Sequence, residues 1–194
     1  VSKVVTDDRY VPVCDKEFAI ADMVTGYGVA ESIRHFYHIF HNEDLHGKRV
    51  IIQGWGNVAA AAGYYLSKMG TIIVGIIDKD GGLVEPDGMQ GELIRNLFIS
   101  KRGNTLNCDK LDFDTSNKQL WDIPCDIFIP AAASRLVSSD QVERLLKGGL
   151  KVIACGANVP FTDDEIFFGD TAKSVDKRIS LIPDFVANSG MARV

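Results

Sequence analysis

Apolar residues fall in two patterns along this chain, and together they predict an alternation of strands and helices. Short continuous runs, Val50-Ile51-Ile52, Ile72-Ile73-Val74 with Ile76-Ile77, Ile127-Phe128-Ile129 and Val152-Ile153-Ala154, suit strands buried on both faces of a parallel sheet. A last strand is expected over Ser180–Pro183. Between the runs, Val29, Ile33, Phe36, Tyr37 and Phe40 recur at three- and four-residue steps, which predicts a helix from about Gly28 to Asn42. Ala59 to Ala62, Tyr64, Tyr65, Leu66 and Met69 give a second helix stopped by Gly70. Further helices are expected over Met89–Arg102, around Val142, Leu145 and Leu146, and over Asp163–Gly169. Lys79–Gly88, with two glycine turns and a Pro-Asp-Gly, reads as surface loop. Gly103–Leu120 is polar and offers few apolar anchors, and residues 1–24 show no clear period. The fold class that follows is α/β, a Rossmann-type three-layer αβα domain with a mostly parallel sheet.

Size and charge narrow the possibilities. At 194 residues the chain suits one domain, with or without an appendage, and can bury a substantial core. A net charge of -5 without a basic stretch argues against nucleic-acid binding, and no apolar run approaches bilayer length, so no membrane span is expected. Cys14, Cys108, Cys125 and Cys155 form no CxxC pair, and the chain carries no signal-like segment; both features fit a reducing cytoplasmic setting. Starting at Val1 and stopping just after a patterned segment, the sequence reads as a piece of a longer protein.

The first strand runs into Gly54-Trp55-Gly56-Asn57-Val58-Ala59, and the second ends on Asp78. Strand, glycine turn, helix, strand and terminal acid are the order that a dinucleotide-binding crossover requires. Gly54 permits the tight turn, Gly56 lets backbone approach a pyrophosphate, and Ala59 is small enough for the helix to lie against the strand. Asn57 is placed to cap the helix, whose first N–H groups face the phosphates. Asp78 is a candidate acceptor for the hydroxyls of a ribose. A tight strand-to-helix turn in some other α/β protein is the competing reading.

Four phrases then carry a family resemblance: Thr25-Gly26-Tyr27-Gly28-Val29, Gln53 to Ala59, Asp78-Lys79-Asp80-Gly81-Gly82, and Gly156-Ala157-Asn158 with Pro183 to Gly190. In this order they resemble the nucleotide-binding domain of the glutamate/leucine/phenylalanine/valine dehydrogenase family. The resemblance implies residues 25–194 as an NAD-binding domain preceded by an arm or interdomain segment over 1–24. It also implies oxidative deamination of an L-amino acid to a 2-oxo acid and ammonia, with hydride passing to the nicotinamide. Carried onto this sequence, it puts Thr25 and Asn188 at the carboxamide and Asn158 near the nicotinamide ribose. Gly54, Gly56, Asn57 and Val58 fall at the phosphates, Asp78 at the second ribose, and Ala131 and Ala132 along the cofactor cleft. Blander roles compete: Thr25 as a helix cap, Asn188 as a turn residue.

A carboxylate at Asp78 would repel a 2′-phosphate by ~4 kcal/mol at about 4 Å and an effective dielectric near 20, which favours NAD over NADP unless Lys79 softens it. The family's catalytic lysine and carboxylate belong to a separate substrate domain whose glycine-rich lysine motif does not occur here. No catalytic residue is therefore expected in these 194 residues, and the chain alone is expected to bind nucleotide without turning over amino acid. The family is usually oligomeric, so a homo-oligomer is expected at full length. Another NAD-dependent oxidoreductase, or an inert nucleotide-binding module serving as sensor or assembly part, are the alternatives. His35, His38 and His41 at three-residue steps lack a carboxylate or thiol to complete a metal site and read as a wet helix face.

Overall fold

A computed structural model describes residues 3–165 and 169–190. The chain runs α1 (Ile20–Phe36), a π-helical turn (Tyr37–His41), β1 (Arg49–Gln53), α2 (Asn57–Lys68), β2 (Ile72–Ile77) and β3 (Gly81–Met89). There follow α3 (Gly91–Ser100), β4 (Leu111–Asp112), α4 (Phe113–Gln119) with a 3-10 turn (Leu120–Asp122), and β5 (Ile127–Pro130). The last elements are α5 (Ser139–Lys147), β6 (Val152–Ala154), α6 (Asp170–Asp176), β7 (Ser180–Ile182) and α7 (Asp184–Ala187). The seven strands form one sheet in the order β4-β3-β2-β1-β5-β6-β7. β2, β1, β5, β6 and β7 are parallel, while β3 and β4 are antiparallel additions. This is the expected Rossmann-type α/β class.

The continuous apolar runs are explained by the two cores they feed. Val50 and Ile52 of β1, Ile127 and Ile129 of β5, and Val152 and Ala154 of β6 face α1, α2 and α3. Ile51, Phe128 and Ile153, from the same strands, face the opposite layer with Trp121, Leu145 and Val175. Period-two alternation on a sheet covered on both sides leaves no position for a polar residue. Trp55 is fully buried beneath the glycine turn, donating its indole N–H to the Leu97 carbonyl at 3.3 Å, with Gly63 of α2 against its ring.

Three local expectations are corrected. Lys79–Gly88 is not loop: most of it is β3, paired with β2 through Ile77–Gly82 and Val84–Gly75. The Pro-Asp-Gly expected as a loop turn sits inside this strand, where the register slips between the Gly75–Val84 and Ile73–Met89 pairs. α1 begins at Ile20 rather than near Gly28, so it crosses the boundary drawn between residues 24 and 25. The preceding segment is docked: Phe18 stacks on Phe98 with centroids 4.8 Å apart, and the Tyr10 carbonyl accepts from the Tyr65 hydroxyl at 2.8 Å. The helix expected over 163–169 takes in residues 166–168, which lie outside the described residues; 163–165 and 169 are not helical, and α6 begins after them at Asp170.

Candidate functional site

Strand order reverses about β1: β2 lies on one side, β5 on the other, and chain connections leave in opposite directions. In an open α/β sheet, the crevice outside the carboxyl ends of such strands is where ligands bind. The glycine turn stands at this point. The Gly54 N–H donates to the Ile77 carbonyl at 2.6 Å, and the Ala131 N–H donates to the Gln53 carbonyl at 2.8 Å, tying the turn to both neighbours. Gly54 has φ +103°, and a Cβ there would lie 2.7 Å from the Ala131 carbonyl oxygen and the Ala132 Cα. Only glycine meets both demands.

Gly56 is different in kind. Its backbone is ordinary, and a Cβ would meet only the Asn104 side chain, at 3.2 Å, so the space above it opens outward at the start of α2. Gly56 itself is the cap, correcting the expectation for Asn57, which is the first helical residue. The Asn57 amide instead donates to Asp22 at 3.0 Å and accepts from the Lys101 ammonium at 2.8 Å. Desolvation lowers the pKa of that lysine.

Thr25, Val58, Ala131, Ala132, Asn158 and Asn188, six of the expected site residues, line a single cavity of about 350 Å³ with Ala133, Ser134, Gly156 and Ala157. Close backbone approach brings these distant segments together. A Cβ at Gly26 would sit 2.5 Å from the Ala61 Cβ and the Val58 carbonyl oxygen, so α1 rests directly on α2. A Cβ at Gly190 would sit 2.6 Å from the Val24 carbonyl, so the turn after α7 rests on α1. Thr25 and Asn188 thereby come to line the same cavity. Thr25 lies inside α1, which removes the helix-cap reading. The Asn188 amide donates to Asn158 Oδ1 at 2.7 Å and to the Gly156 carbonyl at 3.3 Å. That leaves the Asn188 carbonyl oxygen and the Asn158 NH2 without a partner among the described residues, one acceptor and one donor side by side.

Asp78 is built otherwise. Its side chain is 1% exposed, and both oxygens are engaged: one accepts from the N–H groups of Asp80 and Gly81 at 2.7 and 3.0 Å, the other from the Leu106 N–H at 2.5 Å and the Lys110 ammonium at 2.8 Å. In this arrangement the carboxylate presents no lone pair to a ribose, and its charge is balanced. The lone-carboxylate argument for NAD over NADP thereby loses its premise. Asn104, Leu106 and Lys110 lie in the polar stretch that offered few apolar anchors, the last two 28 and 32 residues from Asp78. Nothing in local spacing signals those contacts.

Among the described residues no group of three His, Cys, Asp or Glu side chains is arranged to hold a metal ion, and no helix is long and apolar enough to cross a membrane.

Comparison with known proteins decides the family. The family model for glutamate/leucine/phenylalanine/valine dehydrogenases matches residues 19–193. The chain belongs to this dehydrogenase family. It is 32% identical to an NADP-specific glutamate dehydrogenase of Saccharolobus shibatae over 167 residues, 86% of this chain and 37% of that protein. It is 30% identical to a cryptic catabolic NAD-specific glutamate dehydrogenase of Bacillus subtilis over 148 residues, 76% of this chain and 32% of that protein. Its fold matches glutamate dehydrogenase 2 of Plasmodium falciparum with a TM-score of 0.71 and 26% identity, covering 89% of this chain and 38% of that one. The chain thus spans about a third of the length of the curated relatives it matches. Those two relatives, similar in identity, are named for different cofactors, NADP and NAD.

Proposed function

We propose that this chain is the nucleotide-binding domain of an amino-acid dehydrogenase, holding a nicotinamide dinucleotide for the oxidative deamination of an L-amino acid to a 2-oxo acid and ammonia. The single observation that carries this reading is the cavity at the β1/β5 crevice, where Thr25, Ala131, Asn158 and Asn188 converge beside the glycine turn. Its volume suits one end of a ligand rather than a whole dinucleotide, and the open space over Gly56 supplies the other part of the path. When bound, the dinucleotide supplies the hydride acceptor.

The chain's own residues divide the work by chemistry. Gly56, Asn57 and Val58 present the first N–H groups of α2, whose partial positive charge suits a diphosphate. Asn188 offers an acceptor and Asn158 a donor, the complement of a carboxamide or of ribose hydroxyls, and the Thr25 hydroxyl adds a group that does either. Ala131 and Ala132 have side chains too small to obstruct the cleft. None of these groups is a proton-transfer residue of the kind that deamination needs, so turnover requires a substrate domain with its own lysine and carboxylate. The amino acid, the cytoplasmic setting and the oligomeric state belong to that larger protein.

Calorimetric titration of NAD and NADP into the 194-residue chain tests this reading. One saturable site is expected, together with no NADH formation from any amino acid. Absence of binding by both dinucleotides would reject the proposal, and amino-acid turnover by the chain alone would reject its division of labour.

A further inference from the structure

We infer that Lys110 sets the cofactor choice of this domain by cancelling the charge of Asp78, so that NAD and NADP bind with similar affinity. The inference rests on the reading of the crevice as a dinucleotide site, and concerns the carboxyl end of β2, where the adenosine ribose of a dinucleotide lies in this fold class. An acid at that position discriminates in two ways: its oxygens accept from the 2′- and 3′-hydroxyls, and its charge repels a 2′-phosphate. Here neither operates in full. All of the hydrogen bonds that Asp78 accepts come from protein groups, two on each oxygen, and the fourth donor is a cation.

Burial makes the cancellation effective. The ion pair is 2.8 Å long with side chains 1% and 15% exposed, so water screens it little and the two charges act outward as a dipole rather than as a net charge. The Lys110 ammonium is fixed a second time by the Leu106 carbonyl at 3.2 Å, which holds it against the carboxylate. The neighbouring charges balance as well: Lys79 and Asp80, both well exposed, lie 3.5 Å apart. At the end of β2 each of these two acids thus has a lysine of its own, Lys110 for Asp78 and Lys79 for Asp80.

Each half of the pair, removed alone, uncovers the other. Affinities for NAD and NADP are measured by calorimetry on the 194-residue chain and on Lys110→Met, Asp78→Asn and the double variant. The wild-type ratio of the two dissociation constants is expected within threefold of unity. Lys110→Met exposes the carboxylate charge and is expected to weaken NADP relative to NAD by roughly tenfold. Asp78→Asn exposes the ammonium and shifts the ratio roughly tenfold the other way. The double variant, with a neutral pair, returns to within threefold of unity. Should one single variant fail to fold, the other still reads the sign of the shift.

A wild-type ratio beyond tenfold in either direction overturns the inference, as does a ratio that neither single variant moves. Failure of both dinucleotides to bind the wild type overturns the function proposed above and this inference with it. Binding of both with an insensitive ratio overturns only the role of Lys110.

Discussion

The two ends of the crevice are built on opposite principles. Around the glycine turn and the β1/β5 cavity, backbone and small side chains make much of the lining, and Asn158 and Asn188 keep a donor and an acceptor without a partner among the described residues. At the end of β2 the surface is made by charged side chains that already partner one another. The first region is shaped to be completed by a ligand; the second is complete without one. On the function proposed above, specificity for a dinucleotide as a class resides in shape and amide hydrogen bonds at the first end. Discrimination at the second end depends on how a charge pair is balanced.

The largest expected effect breaks the first region mechanically. Gly54→Ala must place a Cβ 2.7 Å from the Ala131 carbonyl at φ +103°, combining left-handed strain with overpacking. A loss of about 2–4 kcal/mol is expected in urea unfolding. An effect below about 1 kcal/mol would mean that the turn is softer than its contacts imply.

Next comes the charge pair. Lys110→Met leaves a buried carboxylate with three N–H donors but no cation, and about 1–3 kcal/mol of stability should go with it. The Asp78→Asn/Lys110→Met variant should recover most of that, because a neutral pair has no uncompensated charge. If the double variant is as unstable as the single one, the segment is held by packing and not by the pair.

Asn188→Ala sharpens the contrast on the binding side. Removing one amide that faces the cavity should weaken NAD about tenfold while leaving ADP-ribose, which has no carboxamide, within twofold. Equal losses for both ligands would move Asn188 away from the nicotinamide end.

The thiols give the smallest effects and separate the regions by accessibility. Cys108 is exposed in the segment that Asp78 holds, whereas Cys155 is buried at the end of β6, next to cavity residue Gly156. Cys14 and Cys108 should react with a thiol reagent in the native state, Cys108 more slowly because desolvation raises its pKa; Cys125 and Cys155 should react only on unfolding. Lys110→Met should slow Cys108 alone, because the ammonium charge that holds its pKa down is gone. Burial also pushes the Cys125 thiol up to about 12 from its ordinary 9, so the folded state keeps that proton longer than the unfolded chain. Its contribution is therefore fully present below pH 9 and declines as pH rises from there toward 12, which urea midpoints across that range would register.

What was legible in the sequence follows the same division. The glycine turn could be read because local spacing encodes it: a positive φ needs glycine, and a close helix needs alanine; Ala131, Ala132 and the two asparagines came only through the family resemblance. The β3 strand was read as loop because its flanking pairings, Gly82 with Ile77 and with Leu111, are set by partners and not by its own polar, glycine-rich composition. Lys110 was invisible for a related reason. An ion pair across 32 residues leaves no period, and Asp78 looks the same in sequence whether it faces a ribose or a lysine.

The central claim, that this crevice is a dinucleotide site, is tested most directly by Gly56→Val with NAD calorimetry and thermal unfolding on the same samples. A Cβ at this ordinary backbone position meets only the flexible Asn104 side chain, and the branched valine adds bulk over the start of α2. The account predicts at least a hundredfold loss of NAD affinity with a stability change of about 1 kcal/mol or less. Wild-type affinity in a folded Gly56→Val protein would contradict it.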